Sequence, residues 1–441
     1  MKNFIIFILS IALCHNVSSQ KIQYGRGTFQ VDDPKEMQFV ANIGGSNHLI
    51  KFTPNRRAFV YIYDSQLQLT QKKNLGFMVS EGCTIKILSF PGYYYVYVHK
   101  LRPSIHELWK IDAQGEVTER SQKFRGVIDS VLKNYEATIQ LVNPDGHLTL
   151  LANTYYDTIK SIKSTAISLD EQLNPLEVRK ALYPFDKGKE TLQQTELING
   201  VLFALKVSRD RESGSPLELV KLNMANGESV TSTFSSTTLL HGTPAFIFDP
   251  KDSSVLVYSL ATERTNVFGN ERPVFISRLN YSLQEQVPVT LLRSQFSNNT
   301  EINYLLLGGT SPAWIKMGRT ALLGDVNSYT PTAVRLTLLD EHFKKVDDTL
   351  IANRKMYDVQ PVPFGRANVN NKACLFLIQN LTRKRKGLLM ISAKEGRLET
   401  SGIRVFDKYD YMLSQIHVKD DYVICPYIYK NEMGLIKITI N

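Results

Sequence analysis

Cysteine is scarce in this sequence. Four cysteines occur in 441 residues, and Cys14 lies in the apolar segment near the N-terminus. The other three, Cys83, Cys374 and Cys425, are too few to form a disulfide scaffold. Stability must therefore come from a buried core, and a composition of 43% hydrophobic and 21% charged residues is sufficient for one.

Long apolar runs are scarce as well. The run at Phe4–Leu13 is far below the roughly 20 residues that span a bilayer. Because Lys2 precedes this run and small residues follow it, we predict a signal peptide at 1–19. We expect residues 20–441 to form a single exported domain without a transmembrane segment, in the periplasm, at the cell surface or outside the cell. Lipidation of Cys14 is an alternative, but Leu13 stands where a lipobox has a small residue.

Signatures of catalysis and of metal binding are absent from the sequence. It contains no GxSxG, no HExxH and no calcium loop of the EF-hand type. His99 and His106 flank a short segment and could face each other as two metal ligands, with ordinary exposed histidines as the alternative. Catalysis stays open, because carboxylates from distant parts of a chain can converge. The sequence implies no cofactor and no metal.

The sequence does contain a repeated pattern of paired strands. Tyr and Phe number 21 each beside two Trp, which favours β structure. An apolar strand that ends in a polar residue, a turn and a second strand recur along the chain. The residues that open these turns, 47 to 60 positions apart, are Asp64, Asp112, Asp170, Asn223, Asn280, Asp340, Ser392 and Thr439. A sustained period of this length indicates a repeat architecture.

A more apolar hairpin precedes the first one in each period, so each unit has four strands, a to d. Pro-Gly at 91–92, NPDG at 143–146 and Asn-Gly at 199–200 supply its turns. Strand b, such as YYYVYV at 93–98, is apolar on both faces and needs cover on both sides. The pattern resembles the β-propeller superfamily by architecture, with no specific family signature. This resemblance implies an all-β ring of four-stranded antiparallel blades.

Eight units fit the chain, and a seven-bladed ring with an N-terminal cap is the alternative. The predicted bounds are 37–76, 82–124, 136–182, 192–235, 243–296, 312–355, 359–405 and 411–441. The last unit lacks strand d, and the segment Tyr24–Val31 would supply it and close the ring. A short helix is expected at Gly126–Tyr135. Cys374 and Cys425, on neighbouring b strands, are expected to be buried free thiols.

Charge is predicted to differ between the two ends of the ring. In a meander, the b-to-c loops emerge on one face and the c-to-d turns on the other. The eight b-to-c loops hold 15 basic and 7 acidic side chains, whereas the c-to-d turns are acidic. A basic face would attract anionic ligands. However, Asp and Asn also open tight turns for hydrogen-bonding reasons alone, and basic hairpin tips are often merely solvated.

We therefore predict a secreted, non-catalytic binding protein whose basic loop face binds a protein or an anionic glycan. The candidate binding residues are Arg56, Arg57, Lys100, Arg102, Tyr155, Tyr329, Arg383, Lys384, Arg385 and Lys386. A glycan-active hydrolase or lyase with its site at the mouth of the central channel is the alternative, and a structural envelope component is a third. Nucleic acid is not expected despite a pI near 9.2, because the chain is predicted to be exported and lacks an RNA-binding signature.

Overall fold

The computed structural model describes residues 22–25, 29–30, 37–53, 57–79, 83–101, 104–121, 138–143, 147–209, 216–234, 239–240, 244–249, 252–262, 274–292, 300–308, 311–322, 325–340, 342–352, 364–369, 372–382, 385–394, 397–404, 408–419 and 422–439. The predicted signal peptide at 1–19 and the predicted helix at Gly126–Tyr135 lie outside these ranges.

The described strands form eight antiparallel sheets, here called blades 1 to 8. Two N-terminal strands, β1 (Ile22–Tyr24) and β2 (Phe29–Gln30), belong to blade 8. Blade 1 contains β3 (Met37–Ile43), β4 (Ser46–Phe52), β5 (Arg57–Tyr63) and β6 (Leu69–Met78); blade 2 contains β7 (Thr84–Phe90), β8 (Tyr93–Leu101), β9 (Ser104–Asp112) and β10 (Val117–Ser121). Blade 3 contains β11 (Thr138–Val142), β12 (Thr149–Tyr156), β13 (Ser161–Leu169) and β14 (Pro175–Pro184); blade 4 contains β15 (Glu190–Ile198), β16 (Val201–Ser208), β17 (Leu217–Asn223) and β18 (Ser229–Phe234).

The other four blades follow the same plan. Blade 5 contains β19 (Leu239–Leu240), β20 (Ala245–Asp249), β21 (Ser254–Thr262), β22 (Val274–Leu279) and β23 (Glu285–Leu292); blade 6 contains β24 (Thr300–Gly308), β25 (Ser311–Leu322), β26 (Asp325–Leu339) and β27 (Lys345–Ala352). Blade 7 contains β28 (Phe364–Val369), β29 (Lys372–Thr382), β30 (Arg385–Lys394) and β31 (Arg397–Arg404); blade 8 contains β32 (Asp410–Tyr411), β33 (His417–Lys419), β34 (Tyr422–Tyr429) and β35 (Glu432–Thr439). Short 3₁₀ helices occupy Asp157–Ile159 and Leu413–Gln415.

The blades are arranged in a ring. Each blade contacts the next one along the chain, and blade 8 contacts blade 1 through a cluster that includes Leu49, Tyr63 and Met433. The first strands of neighbouring blades touch, so they lie nearest the axis. The fourth strands β6 and β14 are mostly exposed and form the rim. This confirms the predicted β-propeller of four-stranded antiparallel blades.

Burial on both faces explains the apolar second strands. In β8, Tyr95 and Tyr97 pack in a cluster with blade 3, whereas Tyr94 and Val96 pack in a cluster with blade 1. All four are at most 2% exposed. The aromatic run is therefore core, as the sequence predicted.

The N-terminal strand closes the ring, which confirms the predicted exchange. Strand β1 pairs antiparallel with β35, with Tyr24 opposite Ile436. The Gly25 N–H donates to the Leu435 carbonyl at 2.8 Å, and the Tyr427 hydroxyl donates to the Gly25 carbonyl at 2.5 Å. Because β35 pairs on both sides, the last hairpin has no open edge at this strand.

The sixth unit begins earlier than predicted. The sequence placed its start at residue 312, but β24 begins at Thr300, and residue 312 lies in the second strand, β25. The apolar run Leu305–Leu307 supplies the first strand, and Leu305 pairs with Trp314. The prediction was wrong because an apolar run next to a turn is equally compatible with the strand before or after it.

The c-to-d turns confirm the hydrogen-bonding role of their acidic residues. Asp64 Oδ1 accepts the backbone N–H of Gln66 and of Gln68, each at 2.9 Å. The same two-bond pattern recurs at Asp112, Asn280 and Asp340, and a single bond of this kind forms at Asp170 and at Asn223. These side chains satisfy the turn backbone, so their charge needs no ligand.

A buried residue with positive φ completes most of these turns. Three positions after the turn-opening residue, φ lies between 58° and 62° at Leu67, Leu173, Leu283 and Phe343. Each of these side chains is at most 5% exposed and packs against the preceding blade. At the corresponding place in blade 2 stands Gly115, where an added Cβ would lie 2.8 Å from Ile62 of blade 1. Four of these turns thus insert a side chain into the boundary with the preceding blade, and the turn at Gly115 lets that blade approach closely.

Neither Cys374 nor Cys425 forms a disulfide, and both are buried, as predicted. Both lie in the cluster between blades 7 and 8. Burial raises the pKa of the Cys425 thiol to about 12, so this cysteine is unreactive in the folded protein.

Candidate functional site

The b-to-c loops and the links between successive blades emerge at one end of the ring, here called the loop face. Blades 3 and 4 show this directly. The Phe185 N–H, in the link between the blades, donates to the carbonyl of Lys160 at 2.9 Å. The Arg209 N–H, after β16, donates to the carbonyl of Lys189 at 2.6 Å. The a-to-b and c-to-d turns lie at the opposite end, here called the turn face.

The structure describes only some of the predicted binding residues. Arg57 begins β5, is exposed, and its N–H donates to Thr53 Oγ1 at 3.2 Å. Four further residues also lie in strands, namely Lys100 in β8, Tyr329 in β26, and Arg385 and Lys386 in β30. The side chains of these four lie outside the described part. Arg56, Arg102, Arg383 and Lys384 lie outside the described residues. The b-to-c loops are shorter than predicted, because the strands extend further and each additional residue pair adds to the hydrogen-bonded ladder.

Tyr155 lies at a corner of the loop face between blades 3 and 4. It is half-buried at the end of β12, and its ring packs edge-on against Phe185 at 5.8 Å between centroids. The Nζ of Lys187 lies 5.9 Å from the centre of the same ring. We call Tyr155, Asp157, Lys160, Asp186, Lys187, Lys189 and Arg209 the corner site.

Hydrogen bonds fix the 3₁₀ turn within the corner site. Asp157 Oδ1 accepts from the Tyr155 hydroxyl at 2.9 Å and from Lys160 Nζ at 2.6 Å. The bond from Lys160, followed by that from Tyr155, lowers the pKa of Asp157. The hydrogen bond to Asp157 raises the pKa of Lys160. Lys160 Nζ also lies 4.0 Å from Asp186, which joins the b-to-c loop to the link between the blades.

A buried lysine anchors the same link from below. Lys206 Nζ, on a side chain that is 8% exposed, lies 2.8 Å from Glu190 and 2.8 Å from Glu218. Burial alone would lower the pKa of Lys206, but these two carboxylates raise it. The other oxygen of Glu190 accepts the N–H of Asp186 at 2.6 Å. The link that carries Lys187 and Lys189 is therefore held in a defined position.

The corner site is basic, with four cationic and two anionic side chains. Of these residues, only Tyr155 is predicted from the sequence as a binding residue. That prediction covers the b-to-c loops but not the links between blades, and therefore misses Lys187 and Lys189. Lys187 and Lys189 belong to a link between blades, in the segment FDKGKE at 185–190. The signal was present in the sequence, since a meander places such links on the same face as the b-to-c loops.

His99 and His106 face each other across β8 and β9, as expected. Their rings stack with centroids 4.3 Å apart and an angle of 13° between planes. His106 Nδ1 lies 2.6 Å from the Tyr97 hydroxyl, and burial lowers the pKa of His99. Parallel stacked rings do not direct two lone pairs at one metal ion. Among the described residues, no group of three potential ligands is placed to hold a metal.

The innermost strands carry a few ionisable residues near the axis. Burial raises the pKa of Glu196 in β15, lowers the pKa of Lys86 in β7, and lowers the pKa of His417 in β33. At the start of β15, Glu190 is held by Lys206. Among the described residues of the innermost strands, Glu196 is thus the carboxyl group with a raised pKa.

A groove of about 250 Å³ opens between blades 3 and 4 on the turn face. It is lined by His147, Thr149, Ala166, Ser168, Leu176, Glu177, Arg179, Leu197, Gly200 and Met224. Arg179 Nε donates to Glu177 at 2.7 Å within it. The groove and the corner site lie at opposite ends of the ring.

In the described part of the chain, no helix is both long enough and apolar enough to cross a membrane. No family model matches the sequence. No curated protein matches it either.

Solved structures with a similar fold share little sequence with this chain. A eukaryotic initiation factor is 10% identical with a TM-score of 0.46, over 96% of this chain and 98% of that one. The β-propeller domain of the Trilobed protease from Pyrococcus furiosus is 12% identical with a TM-score of 0.40, over 80% and 95%. Drosophila Semaphorin 2a is 9% identical with a TM-score of 0.38, over 96% and 76%. The strand order and ring closure of the chain itself place it among the β-propellers.

Proposed function

We propose that this protein is a secreted, non-catalytic binding protein that takes an anionic partner, a glycan or a protein, on its loop face. The observation that carries the proposal is the corner site, where Tyr155 lies beside Lys187 on an ordered and net basic surface. Aromatic rings offer flat contact area at low entropic cost, and lysines attract sulfate or carboxylate groups. The hydrogen bonds of Asp157 and Glu190 hold this surface in place before a partner arrives, which lowers the entropic cost of binding.

The experiment measures binding of heparin, as a sulfated probe, and of an uncharged glucan over a range of salt concentrations. The wild-type protein should bind heparin, and the affinity should fall as salt rises. The double variant K160Q/K187Q should weaken binding about tenfold and flatten the salt dependence. Neutralising Arg383 to Lys386 should weaken binding as well if the basic loops act together.

Lys344 provides a matched control, because it is an exposed lysine in a c-to-d turn on the turn face. K344Q should leave heparin binding unchanged. If K344Q and K160Q/K187Q have the same effect, the loop face is not the binding surface. If heparin binding is absent but an acidic protein binds, the partner is a protein.

A glycan-cleaving enzyme is the second candidate, and Glu196 is the observation that favours it. A carboxyl whose pKa is raised by burial suits a general acid. Release of reducing ends from acidic and neutral polysaccharides, lost in E196Q, would establish this function. No release by the wild-type protein would leave the binding proposal in place.

A further inference from the structure

The rim strand of blade 3, β14, exposes an unusual amount of apolar surface. Leu176 is 66% exposed, Val178 38% and Leu182 50%. These are three of the seven large hydrophobic side chains that are exposed in the described part of the chain. The rim strand β6 of blade 1, by comparison, exposes one large hydrophobic side chain, Met78.

The backbone of β14 also presents an edge. Among the described strands, β14 pairs with β13 and with no other. The Phe185 N–H donates inward to Lys160 of the same sheet, so by alternation the odd-numbered residues before it bond inward as well. The N–H and C=O groups of Val178, Lys180 and Leu182 therefore point outward. At the next even position stands Pro184, which has no N–H to leave unsatisfied.

The order of charges along this edge is complementary to itself. When two copies of β14 pair antiparallel with Val178 opposite Val178, Glu177 of each chain lies opposite Arg179 of the other. The outward-pointing residues then form the hydrogen-bonded pairs, and the Glu177–Arg179 pairs are the non-hydrogen-bonded ones, in which side chains lie closest. Registers shifted by one step place Glu177 opposite Glu177 or Arg179 opposite Arg179. A shift of two steps places Lys180 opposite Lys180 in one direction, and in the other it places Val178 opposite Asn174, which lies before the start of β14.

We propose that two copies of this chain associate through β14, forming a continuous antiparallel sheet across the two blades with Val178 on the twofold axis. Glu177 and Arg179 set the register. Within one chain Arg179 already bonds to Glu177 at 2.7 Å, and a guanidinium has five donors, so it can also bond Glu177 of the second chain. Leu176 and Lys180 lie opposite each other, so the alkyl stem of Lys180 covers apolar surface.

Charge reversal tests the proposal. Sedimentation of the wild-type protein at micromolar concentration should show a dimer. E177R places two arginines in each cross-strand pair, and R179E places two glutamates there, so each variant alone should weaken the dimer about tenfold or more. A mixture of E177R and R179E should form a heterodimer, because both pairs become attractive again. The double variant E177R/R179E should restore the homodimer.

A folding control accompanies each of these variants. Circular dichroism and the midpoint of thermal unfolding show whether each variant is folded, and rescue in the mixture cannot arise from a misfolded chain. A wild-type monomer overturns the proposal. A dimer that persists in both single variants, or single-variant monomers that do not associate when mixed, also overturns it.

Discussion

The Nε2 of His48 donates a hydrogen bond to the carbonyl oxygen of Ala113, at 3.1 Å, across the boundary between blades 1 and 2. Its Nδ1 lies 3.3 Å from the Tyr94 hydroxyl, which acts as the donor. A ring with one donating and one accepting nitrogen is neutral. The ring is fully buried, and its burial lowers the pKa of His48 to about 4.

This pKa predicts how stability depends on pH. In the unfolded chain the histidine titrates at its usual value of 6.5, so between that pH and about 4 the unfolded state binds the additional proton. The contribution of neutral His48 to the stability of the fold is therefore complete above pH 6.5, and it is lost as the pH falls from 6.5 towards 4. Between pH 7 and 5 the contribution of His48 to the free energy of unfolding should fall by about 2 kcal/mol. Urea unfolding at both pH values measures it.

H48Q is the matched control for that prediction, since glutamine can donate and accept hydrogen bonds but does not titrate. Its free energy of unfolding should change less than that of the wild-type protein over the same interval. An equal change in both proteins would mean that other groups are responsible.

Substitution of Leu173 tests how the c-to-d turns with a buried side chain at positive φ contribute to stability. L173A should lower the free energy of unfolding by about 2–4 kcal/mol, because a fully buried side chain is lost while a φ of 62° is kept. L173G loses the same side chain but relaxes the backbone, which glycine adopts at positive φ at little cost. We expect L173G to be more stable than L173A by about 1 kcal/mol. Chemical denaturation of the two variants measures this difference. If L173A were the more stable variant, the argument from backbone strain would be contradicted.

Substitution of Gly25 tests how much the closure of the ring by the N-terminal strand contributes to stability. A Cβ at this position would lie 2.4 Å from the backbone carbonyl oxygen of Leu67, which cannot move without shifting a turn. G25A should lower the free energy of unfolding by about 1–3 kcal/mol. G92A is the control, since a Cβ at Gly92 meets nothing within 4 Å. Equal stability of G25A and the wild-type protein would show that the N-terminal strand contributes little.

Substitution of Lys206 tests whether its ion pairs with Glu190 and Glu218 stabilise the link that carries part of the corner site. K206M leaves Glu190 and Glu218 close together without a cation, and should lower the free energy of unfolding at pH 7 by about 2 kcal/mol. K206R keeps a cation between the two carboxylates and should lose less stability than K206M. A loss of the same size in both variants would indicate a packing defect. Heparin affinity of K206M, measured while it is folded, reports whether the link between the blades has moved.

Local features of the fold were readable from the sequence. Asp64 and its counterparts marked the c-to-d turns because one side-chain oxygen can bond two backbone N–H groups, a local interaction with a fixed spacing. The insertion of Leu67, Leu173, Leu283 and Phe343 was missed. Its signal was present, since an apolar residue stands three positions after each of these turn openers, although a positive φ at leucine contradicts local propensity.

Contacts between blades could not be read in the same way. Lys160 meets Asp186, and His48 meets Tyr94, across boundaries that no sequence spacing encodes. Such pairs depend on the rotation between successive sheets, which is set by the packing of whole clusters. For the same reason, the loop count found Tyr155 but not Lys187, which lies over its ring.

The hydrogen bond between Tyr427 and Gly25 joins positions 402 residues apart. Nearly the entire chain must have been synthesised before the last sheet can be completed, and the loop it closes is almost as long as the protein. The entropic cost of that closure grows only logarithmically with length, but the search for so remote a partner is slow. Until then the outer side of β35 remains an unpaired strand on an otherwise finished ring, and it is the place where a nascent molecule is most exposed to pairing with a neighbour.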